Sequence, residues 1–366
     1  MLSRGNAVGW SSRAAAAAVA LTLSAMVGAA HASADIDDVI SSLADTASVP
    51  LYVEGDGFGQ PVVDVSIGGG ESIAVALDTG SRGLVVPIWD LPWQDVLNEL
   101  EHFSFDDITF GAFPAGFTLG LNIPTSIDFG GGVIAEHTVV NGLLLSFPFS
   151  AINAQALAGA PVEGILGIGP NAGGSHLVTA DLPGELGTGV LIDEPGGRLV
   201  FGAQPGTVDG LSPITTFAGA PFPGSPYNLD PIQIQIGNGP LQSVGGVFDS
   251  GGKGGWIPSD VWSPPENWPI PDVGKFASLL DYGPLWGGVP ISVYAPDGQL
   301  LYSYVTTDSG AMEIMPNWLM KMLVNIEGVV NTGNAAFAHN PVYISNADGG
   351  AMTFYGNASG VNTVEL

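Results

Sequence analysis

The stretch VALDTGSRGLVVP, residues 75–87, runs an apolar strand straight into an acid, a hydroxyl and a glycine. Taken alone, Asp78-Thr79-Gly80 is ordinary turn chemistry, because all three residue types favour tight turns. A second stretch changes its reading. VGGVFDSGG, residues 244–252, again ends an apolar run in acid, hydroxyl and glycine, at Asp249-Ser250-Gly251. A third D-[ST]-G, at Asp308-Ser309-Gly310, follows Thr306-Thr307 and reads as a polar loop.

Downstream spacing pairs the first two. Gly167, closing Glu163-Gly164-Ile165-Leu166-Gly167, follows Asp78 by 89 positions, and Gly333, closing Val329-Val330-Asn331-Thr332-Gly333, follows Asp249 by 84. One plan is used twice. Asp308, only 25 positions before Gly333, falls outside it.

Strand patterns recur around these motifs. Val62, Val63, Val65 and Ile67 lead into Gly68-Gly69-Gly70, and Ile73, Val75 and Leu77 then alternate with small residues: strand, glycine turn, strand. The pattern returns in GRLVFG (197–202), PIQIQIG (231–237), GVPISVYAPDGQLLYSYV (288–305) and VYISNADGGAMTFYG (342–356). Asp-Gly and Gly-Gly signals between strands indicate a mostly β protein rich in hairpins. Helices are expected only at Trp89–Leu100, at Asn317–Ile326 and in a leading arm or short helix over 35–50. Pro-rich stretches at 220–231 and 263–272 read as surface connections, the first dividing the chain into halves.

The 366 residues are 46% hydrophobic and include 54 glycines, enough to bury one large core or two modest ones. Acids outnumber bases 35 to 7, a formal charge of −28, so the surface repels phosphate backbones and anionic lipid; nucleic acid and membrane surfaces are excluded as partners. The absence of cysteine removes disulfides, Cys-ligated zinc and thiol catalysis. The five histidines, at 31, 102, 137, 176 and 339, form no H-E-x-x-H, so no metal site is expected. Gly173-Gly174-Ser175 lacks the last glycine of a nucleophile elbow, and GGKGG around Lys253 lacks the Ser or Thr of a P-loop. Glycosidases also use paired carboxylates, but not on matched D-[ST]-G loops.

Arg4 and Arg13 precede the apolar run AAAAAVALTLSAMVGAA (14–30), and Ala32-Ser33-Ala34 supplies a small-x-small cleavage pattern. Residues 1–34 therefore read as a secretory signal peptide, with an uncleaved N-terminal anchor as the alternative, disfavoured because the run is short for a bilayer span and ends in a cleavage-like site. The expectation is an exported chain, secreted or held in the cell envelope, with no stable membrane span once the leader is removed.

A duplicated β lobe, each copy bringing one Asp-Thr/Ser-Gly loop to a shared cleft, resembles the pepsin-like aspartic proteases over roughly residues 50 to 360. The glycine-rich, cysteine-free, exported character is most similar to the mycobacterial aspartic protease domains associated with PE-type secretion modules. The resemblance implies a mostly β, bilobal acid-protease fold, with a substrate cleft between lobes at 51–205 and 206–366. It further implies a monomer that acts on polypeptide and needs no metal or organic cofactor.

Peptide hydrolysis without a metal or covalent nucleophile needs one group to take a proton from water while another gives one to the scissile carbonyl. Two adjacent carboxylates share a single proton, since both cannot ionise cheaply, and so supply base and acid together. Asp78 and Asp249 are the expected pair. Gly80 and Gly251 let the backbone turn tightly, and Thr79 and Ser250 are placed to hydrogen-bond across the interface. By resemblance these hydroxyls brace the dyad, and Ser81 binds the outer oxygen of Asp78. Gly252, in the matching place of the second lobe, has no hydroxyl, so that support is expected on one side only.

By resemblance, too, the first lobe carries a flap with Tyr-Gly-x-Gly, yet no tyrosine lies between Tyr52 and Tyr227. The best match is Ser126-Ile127-Asp128-Phe129-Gly130-Gly131-Gly132, which puts Phe129 in the tyrosine's place beside Gly130; Phe110 is a second candidate. The family's flap-bracing tryptophan, seven residues after the first acid, is Val85 here, so a wholly apolar contact is expected. The altered flap motivates a rival reading, a non-catalytic relative that binds peptide or an envelope component. A third is a structural envelope protein whose lobes only pack. The separation of Asp78 and Asp249 distinguishes them.

Overall fold

The computed structural model describes residues 46–55, 57–113, 116–147, 162–202, 212–218, 231–252, 254–262, 283–284, 287–306, 313–315, 328–347 and 350–356. The leader, the first part of the arm, the helix expected at Asn317–Ile326, Asp308 and all but Pro231 of the two Pro-rich connections lie outside the described residues.

The chain runs through strands β1 (Ala47–Pro50), β2 (Tyr52–Glu54), β3 (Gln60–Ile67), β4 (Ser72–Asp78) and β5 (Arg82–Pro87) to helix α1 (Trp93–Glu101). Then follow β6 (Ile108–Phe113), β7 (Gly116–Asp128), β8 (Ile134–Phe147), β9 (Gly164–Ile168), β10 (Gly189–Asp193), β11 (Arg198–Phe201) and β12 (Ser212–Phe217). The remainder comprises β13 (Pro231–Ile236), β14 (Gln242–Val247), β15 (Trp256–Pro258), β16 (Gly283–Pro284), β17 (Pro290–Tyr294), β18 (Leu300–Val305), β19 (Glu313–Met315) and β20 (Val329–Asn331). Helix α2 (Ala335–His339), β21 (Val342–Ser345) and β22 (Met352–Gly356) complete it. The end of the arm is thus a strand, because Ala47 to Pro50 pair with Phe201 to Arg198. The first expected helix starts later than its apolar spacing suggests: Ile88–Asp90 is a single 3-10 turn, and Pro92 sits at the cap of α1.

The fold is mostly β, in three sheets. Two have eight strands, ordered β2-β3-β4-β9-β5-β8-β7-β6 and β16-β19-β15-β20-β14-β13-β17-β18. Five consecutive strands of the first, β3-β4-β9-β5-β8, correspond to β13-β14-β20-β15-β19 of the second. Each run alternates antiparallel, parallel, antiparallel, parallel. Even the register repeats: Asp78 stands opposite Gly167, and Val247 opposite Asn331, two residues short of Asp249 and Gly333. The central strands have parallel neighbours and are covered on both faces, which is why Gly164–Ile168 and Val329–Asn331 read as short apolar runs rather than alternating ones.

The third sheet, β1-β11-β10-β21-β22-β12, takes strands from both halves and joins them at the β10–β21 pairing. Its aromatic residues carry the site from below. Phe217 and Phe354 pack against Phe248, at ring distances of 5.0 and 4.7 Å, and Phe248 is the residue immediately before Asp249.

Candidate active site

Strand β4 delivers Asp78 and strand β14, through Phe248, delivers Asp249. The two loops that follow are cross-linked. Thr79 N–H donates to Ser250 Oγ (3.0 Å) and Ser250 N–H to Thr79 Oγ1 (2.9 Å). Each hydroxyl then donates to a carbonyl of the opposite half, Thr79 to Phe248 O (2.7 Å) and Ser250 to Leu77 O (2.8 Å). Both side chains are fully buried.

The cross-link brings the acids together. A β-carbon on Gly80 would stand 2.7 Å from Asp249 Oδ1, and one on Gly251 2.6 Å from Asp78 Oδ1. Each carboxyl therefore lies against the other half's glycine, where no side chain fits. The two acids are close enough for the charge of one to act on the other. Burial first, then the charge of Asp78, hold the Asp249 carboxyl well above the usual carboxylate range; bonds from Asn331 and the Gly251 backbone only partly offset this.

On the first acid, Gly80 N–H donates to Asp78 Oδ1 (2.7 Å) and Ser81 Oγ to Asp78 Oδ2 (2.5 Å). Gly252 offers no such bond, but the second acid does not go without. Asn331 Nδ2 donates to Asp249 Oδ2 at 2.7 Å, and Asn331 Oδ1 is itself fixed by Gly333 N–H at 2.7 Å. The one-sided support expected from sequence is corrected on this point. A serine at 252 would crowd the acid, since a β-carbon there would stand 2.9 Å from Asp249 Oδ2. Asn331 was legible only as the polar residue inside the otherwise apolar Val329-Val330 motif. Gln60, also missed, spans the halves by donating from Nε2 to Gly251 O (3.0 Å).

A second connection lies beside these loops. Asn334 Nδ2 donates to Phe58 O (2.9 Å), two residues before Gln60, and to Glu194 Oε2 (3.2 Å). Burial pushes the Glu194 carboxyl up to about 8.

Phe129 and Gly130 do not cover the acids. Phe129 is 3% exposed and packs on Phe201 at 4.9 Å, in the turn between β7 and β8. That turn adjoins Ser66 and Ile67, whereas Gln60, at the other end of β3, is the residue beside Gly251. Seven residues of strand separate the two ends, about 23 Å. Gly130, at φ +85°, is an exposed turn glycine. The second candidate differs: Phe110 on β6 is 83% exposed. Its neighbour Thr109 accepts a hydrogen bond from Asn141 Nδ2, and Asn141 stands opposite Val85 in the β5–β8 pairing. The contact beside Val85 is therefore polar rather than wholly apolar.

Among the described residues no group of three or more His, Cys, Asp and Glu could hold a metal ion, and no helix is long and apolar enough to cross a membrane.

The chain is similar to PE cleavage protein A of Mycobacterium tuberculosis, strains CDC 1551 and H37Rv. It is 31% identical to each over 315 residues, which cover 80% of this chain and 49% of that protein. It is also similar to PE cleavage protein A of Mycobacterium marinum, 37% identical over 198 residues, covering 49% of this chain and 34% of that protein. The chain thus spans about half the length, or less, of the curated relatives it matches. The model of the PE-PGRS C-terminal aspartyl peptidase-like domain matches residues 47–354, a range that begins at β1 and ends within β22. A match of that extent makes the chain a member of this aspartyl peptidase-like family.

Proposed function

We propose that the chain is an aspartic endopeptidase of the bilobal pepsin-like kind, with lobes at about 51–205 and 206–366 and the substrate cleft between them. The reading is carried by one observation: each acid lies against the glycine of the other half's D-[ST]-G loop. The repeated strand order supports the duplicated lobes.

In the proposed reaction Asp249 holds the shared proton, as its raised pKa favours, and Asp78 acts as base. A water between them attacks the peptide carbonyl carbon and loses its proton to Asp78. Asp249 gives its proton to the carbonyl oxygen, leaving a neutral tetrahedral diol. As the C–N bond of the diol breaks, Asp78 gives its proton to the leaving nitrogen and Asp249 takes a proton from one diol hydroxyl, so that a carboxylic acid and an amine depart and the dyad again holds one proton. Thr79 and Ser250 fix the spacing; Ser81 and Asn331 orient the outer oxygens. No step uses a metal or organic cofactor. The flap role falls to Phe110, with Asn141 and Thr109 as its brace.

The substrate is a polypeptide. The relatives' name refers to PE cleavage, so polypeptides bearing a PE segment are the first substrates to try. Export by the leader at 1–34, release or retention in the envelope, and a monomeric state complete the proposal.

Incubating the chain with a diverse peptide library and with PE-bearing polypeptides, with and without a pepstatin-type inhibitor, tests it. Cleavage blocked by the inhibitor and abolished by Asp78→Ala and by Asp249→Ala is expected. Cleavage that survives either substitution overturns the dyad.

A further inference from the structure

Helix α1 turns its apolar stripe outward. Trp93, Leu97 and Leu100, spaced four and three residues apart on one helical face, are 63%, 39% and 50% exposed, while Val96 is the buried residue of the helix. Trp89, ahead of the helix, is 74% exposed. Just after it, Phe103 and Phe105 stand edge to face at 5.6 Å, both exposed. Six of the large exposed apolar residues thus fall within seventeen positions, a concentration that in soluble proteins marks an interaction surface.

The charges around this stripe restrict what covers it. Asp90, Glu101 and Asp106 flank it, together with Asp95, Glu99 and Asp107, and the sequence has no Lys or Arg between Arg82 and Arg198. An amphipathic surface that lies on anionic lipid carries a basic rim, and this one is acidic. A second copy would place the same acidic rim against itself, since a two-fold contact opposes identical patches. Complementarity favours the opposite charge on an element that also offers an apolar stripe.

We propose that the outward face of α1, with Trp89, Phe103 and Phe105, docks an amphipathic helix of a partner protein whose apolar stripe is edged by Lys and Arg. The tryptophans and phenylalanines supply rigid apolar contact area, and the acidic rim selects the partner and speeds its approach. This proposal does not rest on the proposed peptidase reaction.

The test uses the full chain and designed helical peptides with one Leu stripe, edged by Lys and Arg, by Gln, or by Glu. Binding is followed by tryptophan fluorescence and calorimetry. The Lys/Arg peptide should bind at least tenfold more tightly than the Gln peptide, the Glu peptide should not bind, and the affinity should fall several-fold between 50 and 500 mM salt. Trp93→Gln with Leu97→Gln should lower the affinity at least tenfold. Both positions are exposed, so the circular dichroism and unfolding midpoint should stay unchanged. Equal binding of the three peptides, or binding untouched by the double substitution, overturns the proposal. So does partition onto zwitterionic vesicles in preference to peptide, or self-association abolished by Leu97→Gln.

Discussion

Asn331 does for Asp249 what Ser81 does for Asp78: it donates to the outer carboxyl oxygen, at 2.7 Å against 2.5 Å. One half takes this donor from the residue just after its D-[ST]-G tripeptide; the other takes it from the end of β20, 82 positions away. The bond holds the Asp249 pKa down against burial and the charge of Asp78. Asn331→Ala should therefore let that pKa rise further. With Asp249 as the proton donor, the alkaline limb of kcat/KM should move upward by about one pH unit, the equivalent of a hydrogen bond to a charged group. A pH–rate profile on a cleaved peptide checks the direction.

Gly80→Ala and Gly251→Ala would each drive a methyl group to within 2.7 Å of the opposite acid's Oδ1. The carboxyls must part, by something near an ångström. Activity should fall about 100-fold with the fold intact, read as kcat/KM beside the circular dichroism spectrum.

Thr79→Ala and Ser250→Ala each remove a hydroxyl that both donates and accepts in a buried setting, leaving partners unmatched. Stability should drop by about 2–4 kcal/mol in urea unfolding. Thr79→Ser keeps the hydroxyl and should lose less than half as much.

Phe129 and Phe110 should separate cleanly. Phe129→Ala opens the core against Phe201 and should cost about 3–5 kcal/mol of stability. Phe110→Ala, at an exposed position, should leave stability within about 0.5 kcal/mol while raising KM. Unfolding curves and steady-state kinetics on both variants decide which aromatic meets substrate.

Glu194 ties stability to pH. Its pKa of about 8 in the folded chain lies above the ordinary 4.5, so the folded state keeps a proton that the unfolded chain gives up. Stability held below about pH 4.5 should decline as the pH rises towards 8, by at most ~1.4 kcal/mol per unit. His339, lowered by burial from 6.5, works in the opposite sense over the range below 6.5. Comparing Glu194→Gln with the native chain isolates the glutamate: the difference in urea stability between pH 5 and pH 8 should shrink.

Elements set by local pattern were legible in the sequence. The hairpin of β3 and β4 follows from alternating Val and Ile around a turn in which Gly68 and Gly69 take positive φ. The pairing of Asp78 with Asp249 followed from repetition, and Gly167 and Gly333 fit because they stand at the ends of strands in the same register. What escaped depends on contacts distant in sequence. Asn331, Gln60 and Asn141 act across strands, and nothing in their immediate neighbours distinguishes them. Phe129 misled because a Phe-Gly-x-Gly run marks a tight hairpin end wherever one occurs. Only its place on the sheet, next to Ile67 rather than Gln60, tells which end it closes.

The cross-link under the acids is made of two hydroxyls and four peptide groups, none of which titrates. The Asp249 carboxyl above it, held well above the usual carboxylate range, changes charge with the medium, but the frame that spaces the acids has no charge to change. Under the proposed reaction, a change of acidity would leave the geometry of the site as it is and alter only how many molecules carry the working proton.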